Sequence, residues 1–271
     1  MELLLLRLAI TPTLVGLVAL VQRRFGDRLG GRLVGFPLTT APFLLVLCLT
    51  HGSALTAAAA HGVVVGQISV VLFCLTYARL APYVRPWVAL AVSLVGGTSC
   101  VLGLATVDST WAAAAIVLTF IGIALLTWPA VPPGATAMAR TEGRWETPLR
   151  MTVAGTVVAV LTGAARILGP ELAGVLSTAP VLLSVITPTT HRAAGSPAAR
   201  LLLRGAVTSM PASVMFSAVL ASALTRVGMW PAFLLAALAM VLADTLAQLL
   251  VHRPAARTAR TAFAHAAAQL G

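Results

Sequence analysis

The chain has 271 residues, of which 59% are hydrophobic and only 9% charged, with a formal net charge of +11 at neutral pH. A soluble domain carries about 25% charged residues, so composition excludes a water-soluble fold and indicates an all-α polytopic membrane protein. Nucleic acid as a partner is excluded too, because the arginines fall between apolar runs instead of gathering on one soluble face.

A bilayer-crossing helix needs about 20 mostly apolar residues. Nine such stretches occur in order: 3–21, 33–50, 54–78, 86–105, 110–129, 150–167, 171–189, 200–224 and 230–251. The first is not a cleavable signal, since its positive charges follow the apolar stretch and further spans succeed it. Of the 18 basic residues, all arginine, fifteen lie after spans 1, 3, 5, 7 and 9, and only Arg7, Arg166 and Arg226 lie on the other side. The positive-inside rule then places the N-terminus outside and the C-terminus in the cytoplasm of a bacterial-type inner membrane. The odd cysteines, Cys48, Cys74 and Cys100, sit within apolar runs and read as small core hydrophobes.

Two spans share one motif: GFPLTTAPFLLVL at 35–47 and GVLSTAPVLLSV at 174–185. Neighbouring spans match at an offset of 143, with Arg7 on Arg150, Gly62 on Gly205, Phe73 on Phe216 and Trp87 on Trp230. The expected organisation is a four-helix repeat at 1–105, a linker helix and cytoplasmic loop at 106–149, an inverted four-helix repeat at 150–252, and a basic tail at 253–271. Inverted repeats of this kind recur among secondary transporters. Residues AGVLSTAPVLLSVI, ARLLLRGAVTSMPASVMFSAVL and WPAFLLAALAMVLAD resemble small bacterial inner-membrane proteins of the GlpM type, over about residues 168–245. The resemblance implies a duplicated and fused form of such a protein, and hints at a phosphorylated or sugar-like solute.

Proline inside a helix removes a backbone donor, and in hydrocarbon such a break is tolerated only where protein or a water-filled cavity surrounds it. Spans 2 and 7 are therefore expected to be broken, each beginning a half-helix at its T-A-P motif whose free N–H groups favour an anion. Thr39, Thr40, Pro42, Ser177, Thr178 and Pro180 become the candidate binding residues for a small anionic or zwitterionic solute. A kink that only shapes packing is the plainer reading of the same residues.

Asp244 is the one acid well inside a span, at a depth where carboxylates are usually functional, and is the candidate for proton or sodium coupling; an ion pair with Arg204 is its structural alternative. His61 within span 3 is the second coupling candidate, or a satisfied core histidine. Arg204, which falls on His61 in the repeat, either snorkels to the inner edge or gates the inner mouth. Gln67 and Gln248 are further polar residues within spans, and Pro211 is expected to kink span 8.

Neither H-E-x-x-H nor G-x-S-x-G occurs and acids are few, so no enzyme activity, cofactor or metal is expected. The expected function is secondary transport, with a membrane scaffold or accessory subunit as the alternative. The expected partners are the bilayer and the solute, with a homodimer left open.

Overall fold

A computed structural model describes residues 36–37, 40–104, 107–130 and 180–268. Predicted spans 1 and 6, most of the loop at 130–149, and Thr39, Ser177 and Thr178 lie outside these residues. Among the described residues the fold is all-helical: α1 (Thr40–His51), α2 (Ser53–Leu80), α3 (Pro86–Leu104), α4 (Thr110–Leu126), α5 (Val181–Val227) and α6 (Met229–Ala268). Three segments, Ser53–Leu80, Ile186–Val227 and Met229–Leu250, are long and apolar enough to cross a membrane. The protein is thus an α-helical membrane protein by the length and composition of its helices.

The helix boundaries follow from local chemistry. Gly52, Gly195 and Gly228 have φ of 85°, 82° and 83° with ψ of 176°, 173° and 175°, a region open in practice only to glycine. Each turns the chain from one helix directly into the next. Gly52 joins α1 to α2, Gly228 joins α5 to α6, and Gly195 bends α5 into two arms. Pro197, two residues after Gly195, lies in the first turn of the second arm, where no backbone donor is required.

The sequence reading expected a loop between spans 7 and 8; the segment is helical apart from Gly195. Pro188, Pro197 and Pro211 all lie inside α5, and the departure from helical angles is at Gly195 alone. Pro211, where a kink was expected, keeps helical angles. Elsewhere Pro86 opens α3, and the Ser109 hydroxyl caps α4 by accepting from the Ala112 N–H at 3.3 Å. The basic tail continues α6 as helix to Ala268.

The core centres on α2 and α5, which pack along each other, while α6 lies against α5, α3 against α2, and α4 against both. One apolar cluster joins α2, α4 and α5 through Val64, Val71, Tyr77, Val117, Leu203, Val207 and Met210. A second joins α1, α2, α5 and α6 through Leu44, Leu47, Val63, Phe216, Leu220 and Ala236. Leu234, Leu238, Val241 and Leu249 on α6, with Trp87 and Val95 on α3, point outward. An apolar rim of this kind suits a hydrocarbon surround.

Candidate functional site

Both T-A-P motifs coincide with helix starts. α1 begins at Thr40, two residues before Pro42, and the Ala41 N–H donates to the Pro37 carbonyl at 2.7 Å. The first arm of α5 begins immediately after Pro180, whose carbonyl accepts from both the N–H and the hydroxyl of Ser184, at 2.7 and 2.6 Å. Thr40 and Pro180 are both buried.

These starts lie deep relative to the helix ends. The 12 residues of α1 span about 18 Å before the Gly52 corner, whereas the 28 residues of α2 span about 42 Å. Counted back from the Gly195 elbow, Pro180 lies about 22 Å along the first arm of α5. Each short helix therefore reaches only about half the length of the helix it turns into.

Halfway along α2, fourteen residues after Ser53, stands Gln67. Its amide nitrogen donates to Ser213 Oγ of α5 at 2.7 Å, and both residues are buried. Polar neighbours on the same two helices satisfy themselves locally. Ser69 Oγ donates to the Gly66 carbonyl at 2.7 Å, and Ser209 Oγ bonds the Gly205 and Ala206 carbonyls at 3.2 and 3.1 Å. Thr187 Oγ1 and Ser217 Oγ are fully buried without a hydrogen-bond partner, and a buried hydroxyl in that state costs stability. Replacing Gln67 by leucine removes the tie between α2 and α5, and interhelical hydrogen bonds in membranes contribute on average about 0.6 kcal/mol. Gln67→Leu is expected to lower unfolding free energy by that order, measured by denaturant titration in mixed micelles.

The remaining sequence candidates are spread out. His61 pairs through Nδ1 with Thr110 Oγ1 at 2.9 Å, linking α2 to the start of α4. Asp244 is half-buried on α6 and accepts from Gln248 Nε2 at 3.3 Å. Arg204 is exposed on α5.

A polar cluster that the sequence reading did not single out lies at the end of the bundle where α2 finishes. Tyr77, fully buried, places its hydroxyl 3.2 Å from His191 Nδ1 and 3.4 Å from the Pro86 carbonyl, to which it can donate. Their rings meet edge-to-face at 5.9 Å. Arg79 donates to Thr127 Oγ1 at 3.2 Å, and Arg200 donates to the carbonyls of Ala78 and Ala130 at 3.1 and 3.0 Å. The sequence does carry one signal for it. The Ala78 carbonyl would be bonded by the N–H of residue 82, and residue 82 is proline.

No match to this chain is found among protein-family models, curated proteins or solved structures.

Proposed function

We propose that the protein is a secondary transporter, moving a small anionic or zwitterionic solute through a site at mid-depth between the starts of α1 and α5. In this reading nine spans form two inverted four-helix units, with the N-terminus outside and the arginine-rich end cytoplasmic. Thr39–Pro42 and Ser177–Pro180 bind the solute at the helix starts they mark, whose positive dipole ends favour an anion, Asp244 and His61 couple an ion, and Arg204 guards the inner mouth.

The observation carrying this reading is that α1 and the first arm of α5, each about half the length of the helix it turns into, begin at the two T-A-P motifs. Positions 143 apart behave alike: Gly52 and Gly195 share one glycine-only conformation, α3 starts at Pro86 and α6 at Met229. Burial recurs at the same spacing, with Val64 and Val207, Val71 and Val214, Phe73 and Phe216, and Ala89 and Ala232 all in the core. In this reading an axis in the membrane plane relates the two units, so that the two half-helix starts meet near the Gln67–Ser213 pair.

The scaffold reading draws on one observation, the outward apolar face of α6, which offers a partner helix a long docking surface. Thiol accessibility separates the two. With Cys48, Cys74 and Cys100 replaced by alanine, Ser213→Cys and Thr40→Cys are probed with a membrane-impermeant maleimide from each side of oriented vesicles. A carrier visiting both states exposes these positions to water from both faces in turn. Labelling from neither face would falsify transport through this site and favour the scaffold.

A further inference from the structure

The arginine-rich end brings together four elements, three consecutive helices and the elbow of α5 far along the chain. The last turn of α2 supplies Tyr77, Ala78 and Arg79. The first residue of α3 supplies the Pro86 carbonyl, the end of α4 supplies Thr127, and Ala130 follows it. The elbow of α5 contributes His191 before Gly195 and Arg200 after it.

The carbonyl that Arg200 Nε reaches has lost its ordinary donor. Residue 82 is proline, so the Ala78 oxygen cannot close its helical bond, and an unpaired buried carbonyl is costly. A guanidinium supplies donors in a fixed fork, and Arg200 directs them to two carbonyls, Ala78 in the last turn of α2 and Ala130 four residues past the end of α4, at 3.1 and 3.0 Å. One side chain on the second arm of α5 thus spans the ends of α2 and α4. On the first arm, His191 meets Tyr77.

Among the described residues, the equivalent positions at the opposite end carry different chemistry. Shifted by 143, Tyr77 falls on Leu220, His191 on Cys48 and Arg200 on Ala57. Leu220 and Cys48 belong to the second apolar cluster, with Ala57 packed against it. At these equivalent positions one end therefore makes apolar contacts where the other makes directional hydrogen bonds, the His61–Thr110 bond of the first end joining α2 to α4 instead.

We propose that Arg200, with the Tyr77–His191 pair, is a latch that holds the arginine-rich end of the bundle shut and gates inward access to the central site. Arg200 is a positioning residue: it ties the α5 elbow to α2 and α4, and the glycine-only turn at Gly195 is the joint about which the first arm swings when it lets go. The gating role rests on the transport reading above; the tie itself does not.

The test uses spin labels on the exposed positions Arg85 and Arg192, introduced as cysteines in the cysteine-free chain, with the interlabel distance read by pulsed electron resonance in lipid nanodiscs. Arg200→Gln removes the guanidinium. Pro82→Ala acts from the other side, giving the Ala78 carbonyl a helical donor and releasing Arg200 without disturbing packing around it. Both variants are expected to add a longer-distance population, raised about tenfold over the parent, the factor that 1.4 kcal/mol produces. If Arg200→Gln fails to fold, Pro82→Ala decides. A distance distribution unchanged from the parent overturns the latch. In parallel, Ser213→Cys is labelled from the cytoplasmic side in the same backgrounds, and faster labelling supports the gate. A lengthened distance with Cys at 213 unreactive throughout upholds the tie and overturns the transport reading, along with the gating assigned to the latch.

Discussion

Gly97→Ala is expected to push α3 off α2 and destabilise the fold by about 1–3 kcal/mol, the usual range for overpacking a core. An ideal Cβ at Gly97 would lie 2.7 Å from the Ser69 carbonyl oxygen, with Phe73 Cβ at 3.6 Å. The oxygen belongs to the backbone of a long helix, so no side-chain rotation can relieve the contact, and the two helices must separate. Close approach through small residues is the main route by which helices gain dispersion energy in lipid, where both sides of an interface are already apolar. Gly96, one residue earlier, has nothing within 4 Å of its Cβ position. Gly96→Ala is therefore expected to be neutral or to gain up to about 1 kcal/mol from helix propensity. Unfolding free energies of the two single variants in mixed micelles check this directly. Equal behaviour would mean that α2 and α3 do not approach as closely as described. The Gly97 contact lies two residues from Gln67, so the substitution should also displace the central polar pair and alter labelling of Ser213→Cys.

Much of the architecture is visible in the sequence because hydropathy marks lengths well. The stretches 54–78, 86–105 and 110–129 anticipate α2, α3 and α4 to within a few residues. The T-A-P motifs point to helix starts because proline is favoured in a first turn, where its missing N–H costs nothing, and Thr40 and Pro180 stand at such starts. Helix faces were not legible. Alanine, valine and leucine serve equally on the core side and the lipid side, so nothing in the composition of α6 says that Ala232 and Ala236 turn inward while Leu234 and Leu238 turn outward. The pairing of Gln67 with Ser213, 146 residues away, and of Arg200 with Ala78, 122 away, depends on tertiary packing and has no local trace. Arg204 attracts notice in the sequence because it falls on His61 in the repeat, yet it is Arg200, one turn earlier, that reaches across the bundle. The elbow at Gly195 was missed for a simpler reason. The segment 187–197 holds three of the residues that usually mark a loop, two prolines and a glycine, but both prolines fit the helix and only the glycine turns.

That elbow gives the second large effect. Gly195→Ala is expected to cost on the order of 1–3 kcal/mol, because φ of 82° with ψ of 173° is a conformation that a residue with a Cβ adopts only under strain. Crowding contributes little: the nearest atom to an added Cβ is Pro197 Cδ at 3.5 Å, an ordinary contact. Gly52 and Gly228 separate the two causes, since they share the same φ and have nothing within 4 Å. If backbone conformation sets the cost, Gly52→Ala and Gly228→Ala should lose stability by amounts similar to Gly195→Ala; if crowding does, they should be silent. Function should not follow stability in this series. Gly228 joins two full-length helices, so strain there tilts α6 against α5. Gly52 and Gly195 each aim a half-length helix, and a few degrees of rotation at the corner, carried along about 18–22 Å of helix, moves the start at Thr40 or Pro180 by an ångström or more. At matched stability, Gly52→Ala and Gly195→Ala should therefore change the reactivity of Thr40→Cys and Ser213→Cys far more than Gly228→Ala does. The two corner glycines would then be the parts that fix where the half-helix starts meet, which is the geometry on which solute binding between them depends.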